Sequence, residues 1–574
     1  MKVFFLFLLC HLLTIGGFSQ ISWHNPANDS TACIQGQGWP EELRGQYIRF
    51  PQRAKGKIRP EVWRLSRNSS GLAIHFYSNA PKIVIRYQVE DRYAASHIPA
   101  TGRSGIDLYA RDINGEELWC AGKYSFKDTI SYTFDPITYR TSPALGYEYH
   151  LYLPPYNTVK WLEIGVPENS TFSYAPLRQE KPIVVYGTSI AQGACASRPG
   201  MMWTSILGRR LDHPVINLGF SGNGRLEKEA LNFITEIDAS LFILDCMPNL
   251  PDYPVKEIEK LLIQAVQQIR AKYPETPILF TEHDGYANQY TDRPRAESYQ
   301  KTNRACRNAF SELQRRNIPQ LYYLSCEEIA MPQDGTVDGV HASDYGMIRY
   351  AEAYEKKIRE ILRLPIGSIN TCIPVRQRRD FMVYDWNRRH ATILQLNRRR
   401  PPRAVILGNS ITHFWGGIPE SNTKRGDSSW KKYMAPAGFY NLGFGWDKIE
   451  NMLWRVYHGE LEGYRADKII LLAGTNNLQS DTDKDILSGL EFLLQAIRNR
   501  QPQAEIVVWG ILPRRQMEKR IEHLNRQIQD LANRQKVKFA DPGRHLLTPE
   551  GHIDESLFTD GLHPNKKGYR KLCD

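Results

Sequence analysis

A set of short blocks occurs twice in this 574-residue chain, in the same order and at nearly the same spacing. The first copy reads Gly187-Thr188-Ser189-Ile190, then Asn217-Leu218-Gly219-Phe220, then Asp338-Gly339-Val340-His341. The second reads Gly408-Asn409-Ser410-Ile411, then Asn441-Leu442-Gly443-Phe444, then Asp560-Gly561-Leu562-His563. The stretch from serine to aspartate differs by one residue between the copies, and Gly346 and Gly568 follow the histidines at equal distance. Self-similarity of this kind means that one fold is built twice. Each copy opens on a continuous apolar run, Ile183-Val184-Val185-Tyr186 or Ala404-Val405-Ile406-Leu407. Further runs follow at 241–244, 278–280, 468–472 and 506–509, with helical segments such as 255–273 between them. Buried strands alternating with helices predict parallel sheets covered on both faces.

The residues ahead of the repeat have another character. Between 20 and about 175 short alternating segments prevail, such as Ala73-Ile74-His75-Phe76-Tyr77 and Ile83-Val84-Ile85-Arg86-Tyr87. Turn residues separate them, which predicts an antiparallel β-sandwich. At the start, Lys2, the apolar run from Phe4 to Ile15 and Gly17-Phe18-Ser19 form the pattern of an export signal. The run is short for a membrane span, so no stable membrane insertion is expected. The chain therefore divides into a signal peptide (1–19), a sandwich (20–177), a first α/β domain (178–365), a linker (366–400) and a second α/β domain (401–574). The expected location is periplasmic or extracellular.

Composition excludes several classes. With 41% hydrophobic and 24% charged residues the chain is neither mostly disordered nor a multi-span membrane protein. The formal charge of +12 is modest for this length. Linker arginines such as Arg376, Arg378, Arg379, Arg388 and Arg389 read as a solvated surface beside a short helix at 385–397, and no nucleic-acid partner is expected. Eight cysteines remain after the signal and none forms a CxxC pair, so no metal site is suggested. At most one or two disulfides are expected, with buried free thiols the alternative.

The repeated blocks carry chemistry. A serine directly after a buried strand places its hydroxyl at the C-terminal sheet edge, where open α/β sheets bind ligands. A serine alkoxide is inaccessible at neutral pH without a base. In Asp-x-x-His the carboxylate can hold the imidazole Nδ1 and aim Nε2 at the serine. Singly, such a serine is an N-cap and such a loop a turn; in matched pairs they point to two nucleophilic sites. The candidates are Ser189, Asp338 and His341, and Ser410, Asp560 and His563.

These blocks resemble the SGNH (GDSL-type) hydrolase superfamily of esterases and acetylhydrolases. The resemblance covers about 181–365 and 400–574. Gly105-Ile106-Asp107-Leu108-Tyr109 is similar to the signature of the N-terminal β-domain that some exported members carry. Leu453-Trp454-Arg455, His458-Gly459-Glu460-Leu461 and Gly474-Thr475-Asn476-Asn477 resemble the catalytic subunits of platelet-activating-factor acetylhydrolase. The resemblance implies flavodoxin-like three-layer α/β/α folds and two-step acyl transfer without a cofactor. It implies an oxyanion hole made by the serine N–H, a glycine N–H and an asparagine side chain. These fall on Gly222 and Asn249 in the first copy, and on Trp446 and Asn476 in the second. Asn249 lies in Met247-Pro248-Asn249, a departure from the usual block, and Trp446 stands where the family has glycine.

The expected function is removal of O-acetyl or other short acyl groups, foremost from a polysaccharide. One alternative is a lipase or phospholipid acetylhydrolase. Another makes one module a non-catalytic glycan binder. Asp107 and Tyr109 are expected to serve packing rather than the neighbouring site.

Overall fold

The computed structural model describes residues 20–30, 32–140 and 143–574; the export segment expected at 1–19 lies outside the described residues. The N-terminal region is a sandwich of two antiparallel sheets. One runs in the order Ile21–His24, Val159–Pro167, Ile83–Val89, Ile130–Phe134, Lys123–Ser125. The other runs Phe172–Tyr174, Ala73–Ser78, Tyr147–Tyr152, Asp107–Arg111, Glu117–Cys120, with Ile34–Gln35 paired to Ala73–Ser78. Alternation buries Ile83, Ile85 and Tyr87 from one sheet against Phe76, Tyr149 and Leu151 from the other.

Each repeat copy forms a five-stranded parallel sheet. In the first, β1 (Ile183–Gly187), β2 (Val215–Gly219), β3 (Leu241–Asp245), β4 (Ile278–Thr281) and β5 (Leu321–Leu324) stand in the order β2-β1-β3-β4-β5. In the second, β6 (Ala404–Gly408), β7 (Phe439–Gly443), β8 (Lys468–Leu472), β9 (Glu505–Trp509) and β10 (Lys538–Ala540) stand in the order β7-β6-β8-β9-β10. Both are the flavodoxin-like order, with the nucleophile strand beside the edge. Successive side chains of these strands enter different cores. Val184, Tyr186, Phe242 and Leu244 pack with one helical layer, and Ile183, Val185, Leu241 and Ile243 with the other. Continuous apolar runs are thus what a sheet covered on both faces requires.

Edge strands β2 and β7 leave outward carbonyls unpaired, and each is closed by one buried arginine. Arg49, from the sandwich region, donates to Gly219 O at 2.7 Å and Asn217 O at 3.3 Å. Arg389 donates to Gly443 O at 2.8 Å and Asn441 O at 3.0 Å. Buried backbone acceptors demand such partners.

The linker differs from its expected solvated character. Its helix spans Trp386–Arg399 and buries Trp386, Arg389, His390, Ile393 and Leu394. Arg376 is buried as well, bonded to Asp212 Oδ2 at 2.7 Å. Asp212 is a crossing point of the molecule. Its carboxylate also accepts from Arg111 of the sandwich (3.0 Å), Arg178 (3.0 Å) and Trp454 of the second unit (3.0 Å). Its carbonyl accepts from His458 Nε2 at 3.0 Å. Burial pushes the Asp212 carboxyl up, but Arg111, Arg178 and His458 outweigh it and hold the group below its ordinary value. The arginines are structural partners because buried carboxylates need them, which composition cannot reveal.

All eight cysteines from Cys33 to Cys573 are free thiols. Among the described residues no helix is long and apolar enough to cross a membrane.

Candidate active site

Ser189 and Ser410 are the first residues of four-residue helices, Ser189–Gln192 and Ser410–His413. Thr188 and Asn409 cap these helices by accepting from the N–H of Ile190 and Ile411. The cap does not use the serine N–H, which remains one of the unpaired donors of a helix start. Both serines are 6% exposed.

The distant Asp-x-x-His loops meet these serines in both units. Ser189 Oγ lies 2.9 Å from His341 Nε2, and His341 Nδ1 lies 2.7 Å from Asp338 Oδ2. Ser410 Oγ lies 2.9 Å from His563 Nε2, and His563 Nδ1 lies 2.7 Å from Asp560 Oδ2. The other carboxylate oxygen accepts the N–H of the same histidine at 2.8 Å in each case. Burial pushes Asp338 and Asp560 up, but the backbone and ring hydrogen bonds of the histidines prevail and hold both carboxyls below their ordinary values. They stay ionised and fix the tautomer that leaves Nε2 free to accept. Burial lowers His563 more than Asp560 raises it, and Arg425 and Arg514 lower it further.

The loops after β2 and β7 close over the helix starts. Phe220 N donates to Gly187 O at 2.9 Å, and Phe444 N to Gly408 O at 3.1 Å. Gly219 and Gly443 are needed here, because a Cβ would lie 2.4 Å from Gln192 N or 2.3 Å from His413 N. Gln192 and His413, three residues after the serines, then hold these loops. Ser221 N donates to Gln192 Oε1 at 2.9 Å, and Gly445 N to His413 Nδ1 at 3.2 Å. Burial, with Arg389 and Arg455 nearby, holds His413 down at about 2, so its ring is neutral and can accept. Neither residue was singled out from sequence; their equal offset from the serines was the available signal.

Gly222 and Trp446 follow, with φ of 69° and 63°. Nothing lies within 4 Å of a Cβ at Gly222, and the Trp446 indole, 48% exposed, occupies the open side of its loop. Tryptophan has kept a left-handed conformation that favours glycine, at a cost of about 1–2 kcal/mol. Asn249 and Asn476 are tied to the same loops. Gly224 N donates to Asn249 Oδ1 at 3.0 Å, and Asn476 Nδ2 donates to Asp447 O at 2.9 Å. The structure thus joins Ser189, His341 and Asp338 in one relay and Ser410, His563 and Asp560 in another, and ties Asn249 and Asn476 to the loops that carry Gly222 and Trp446.

Other segments steady the two clusters. Tyr156 of the sandwich donates to Ser189 O at 3.1 Å. Asp107 Oδ2 accepts from Gly200 N at 3.1 Å and pairs with Arg198, whose guanidinium also donates to Tyr109 OH at 2.9 Å. The Gly-x-Asp-Leu-Tyr motif therefore pins the segment behind the first nucleophile helix. In the second unit, linker residues do the comparable work. Gln377 and Tyr384 donate to Gly445 O at 2.9 and 3.0 Å, and Arg379 to Trp446 O at 3.1 Å. Arg455, buried between Asp447 (2.8 Å) and Glu460 (2.7 Å), anchors the loop from below.

Comparison with known proteins agrees with this architecture. Residues 21–172 match the N-terminus of the Esterase_SGNH_hydro-type family. Residues 180–359 and 406–571 each match a GDSL-like Lipase/Acylhydrolase family. The human platelet-activating factor acetylhydrolase IB subunit alpha2 is 33% identical over 195 residues, 33% of this chain and 80% of that protein. The human alpha1 subunit is 28% identical over 193 residues, 33% of this chain and 79% of that protein. The solved structure of a GDSL-like lipase from Bacteroides ovatus has 30% identity and a TM-score of 0.56, covering 61% of this chain and all of that one. Sequence, fold and comparison converge: the chain belongs to the GDSL-like lipase/acylhydrolase family, carries its domain twice behind an SGNH-type N-terminal region, and is a hydrolase of carboxylic esters.

Proposed function

We propose that both units are active serine esterases that remove acetyl or similarly short acyl groups from an exported-compartment glycan. The observation that carries the reading is the pair of matching relays, with 2.9 and 2.7 Å contacts in each. Ser189 or Ser410 attacks the ester carbonyl while His341 or His563 takes its proton. The oxyanion is met by the serine N–H, the N–H of Gly222 or Trp446, and the amide of Asn249 or Asn476. The histidine returns the proton to the departing alcohol, and water then releases the acid from the acyl-enzyme by the same route.

Two features support a large, polar alcohol. Asp338 and Asp560 are exposed, so the relays stand at open surfaces. Exposed aromatics stand on neighbouring loops: Trp446 on the loop after β7, and Tyr290, 93% exposed, on a loop whose Ala287 N–H donates to Gly339 O at 3.0 Å. Export rests on the Lys2 and Phe4–Ile15 pattern.

Acetate release from a panel of acetylated polysaccharides tests the proposal, with wild type, Ser189→Ala, Ser410→Ala and the double variant. Each single variant should lose the acetate released by one site, and the double variant should fall by at least ~10³-fold. A single variant that keeps full activity on every substrate overturns the two-site reading. A second reading, deacetylation of a phospholipid, is favoured by the similarity to subunits named platelet-activating factor acetylhydrolase. Faster turnover of acetylated lipid than of any acetylated glycan would select it.

A further inference from the structure

One cluster of metal-binding side chains lies against the first relay. His97, Cys195 and His341 each place a ligand atom within 4.8 Å of the others. They come from three distant parts of the chain: a sandwich loop ahead of the helix Ala100–Arg103, the segment past the nucleophile helix, and the Asp-Gly-Val-His loop. The two imidazoles face each other with ring centroids 5.6 Å apart. The thiol donates to His97 O at 3.3 Å. His97 is exposed, which leaves a path from solvent.

Cys195 has φ of 67°, a left-handed backbone for which glycine is the ordinary choice. Six residues after Ser410, where the second unit has the corresponding offset, stands Gly416. The first unit keeps a strained cysteine instead, and strain retained beside a reactive group points to a use.

We propose that His97, Cys195 and His341 bind a thiophilic borderline cation such as Zn²⁺, which switches the first site off. Two imidazoles and one thiolate suit zinc or copper, with a fourth position left to water. Asp338 already holds Nδ1 of His341, so the cation takes Nε2, the nitrogen that otherwise accepts from Ser189. Carboxylate, imidazole and metal then stand in line, the arrangement that orients metal-bound histidines. The thiol proton leaves to solvent as the cation binds, and Ser189 keeps its own proton for want of a base.

Among the described residues the second site has no such set. Its His563 faces Phe414 at 5.4 Å between ring centroids, and the Arg425 guanidinium lies over that phenyl ring at 5.1 Å. Phe414 offers no ligand atom where the first site has His97, and the fixed charge of Arg425 disfavours a cation there.

The inhibitory half of the proposal rests on His341 as the catalytic base; the binding half does not. The full chain is stripped with EDTA, and Zn²⁺ is titrated against a chromophoric chelator into wild type, His97→Ala and Cys195→Gly. Glycine suits the Cys195 backbone, and ester hydrolysis at the second site reports that each variant is folded. One Zn²⁺ per chain is expected in wild type, with affinity lowered about tenfold or more in both variants. In parallel, Zn²⁺ should abolish the activity of Ser410→Ala, which retains only the first site, and EDTA should restore it. Ser189→Ala, which retains only the second, should be unaffected. No binding in wild type, equal binding in the variants, or equal inhibition of both sites overturns the proposal. If Ser410→Ala has no activity to inhibit, the reading of the first relay fails, and the titration still decides the metal site.

Discussion

At the C-terminal end of its central strand β3 the first unit carries Asp245; at the same register the second unit carries Leu472. Both positions are buried. Leu472 packs with Ile470 and Val507, whereas Asp245 leaves one carboxylate oxygen without a hydrogen bond close to Asp284, whose Oδ1 lies 3.3 Å from His283 Nδ1. The same contrast runs through the two sites. The first is roofed by the sandwich through Tyr156 and His97 and has an open Gly222. The second is roofed by the linker through Gln377, Arg379 and Tyr384, bears the Trp446 indole, and has Arg425 beside its Asp-His pair. A relay of three side chains tolerates quite different surroundings because its geometry is set locally, by a helix start and a four-residue loop. Surroundings set what reaches it and at which pH.

Four measurements test the contrast between the two units. The largest effect concerns the asparagines, which differ in sequence context but are tied to matching loops. Asn249→Ala in a Ser410→Ala background and Asn476→Ala in a Ser189→Ala background should each lose about 2.7–4 kcal/mol of transition-state stabilisation in kcat. A small effect at Asn249 alone would show that the first unit builds its hole otherwise.

Next comes Asp245. Burial, with Asp284 adding, holds its carboxyl well above the ordinary value. The folded state therefore holds its proton more tightly than the unfolded chain does. Its contribution is therefore most favourable at acid pH and is lost as pH rises toward the folded value. Asp245→Leu should stabilise the first unit by about 1–3 kcal/mol at neutral pH and progressively less on acidification. Urea denaturation at pH 5 and pH 8 reads this; a gain independent of pH would refute the assignment.

Trp446→Gly should follow. Relief of the left-handed backbone is worth about 1 kcal/mol in thermal unfolding. Loss of the indole should raise KM for a polymeric substrate while leaving kcat for a small acetyl ester nearly unchanged. A fall in kcat on the small ester would instead place the indole in the chemistry.

The smallest effect is at Arg425, which holds His563 down together with burial and Arg514. A lowered imidazole stays neutral, and so remains a base, to more acidic pH. Arg425→Gln should move the acidic limb of the second site's kcat/KM profile upward. A downward shift would mean that Arg425 acts chiefly through Asp560.

The serines, histidines and aspartates were legible in the sequence because each belongs to a short block whose geometry is local. The parallel sheets were legible for a similar reason: nearly unbroken apolar strands need cover on both faces. What sequence did not disclose depends on contacts between remote segments. Arg49 and Arg389 look like solvated charges, yet each closes the edge strand of a sheet. Arg376 read as part of a polar linker, yet it is buried against Asp212. His97 and Cys195 lie nearly a hundred residues apart and gain meaning only when the sandwich docks on the first unit. Pairing between distant charged or polar residues leaves no periodic trace along a chain, whereas apolar burial does.

The crossing at Asp212 makes the tandem indivisible. Cut between the copies, the upstream piece keeps a sunken anion stripped of Arg376, Trp454 and His458, while the downstream piece exposes an indole and an imidazole that had a partner. The same seam is crossed by Arg376 on Glu148 at 3.2 Å, Asn387 on Tyr77 at 2.9 Å and Arg500 on the Arg363 carbonyl at 2.8 Å, so the second copy is held as a fixture of the first rather than as a detachable neighbour.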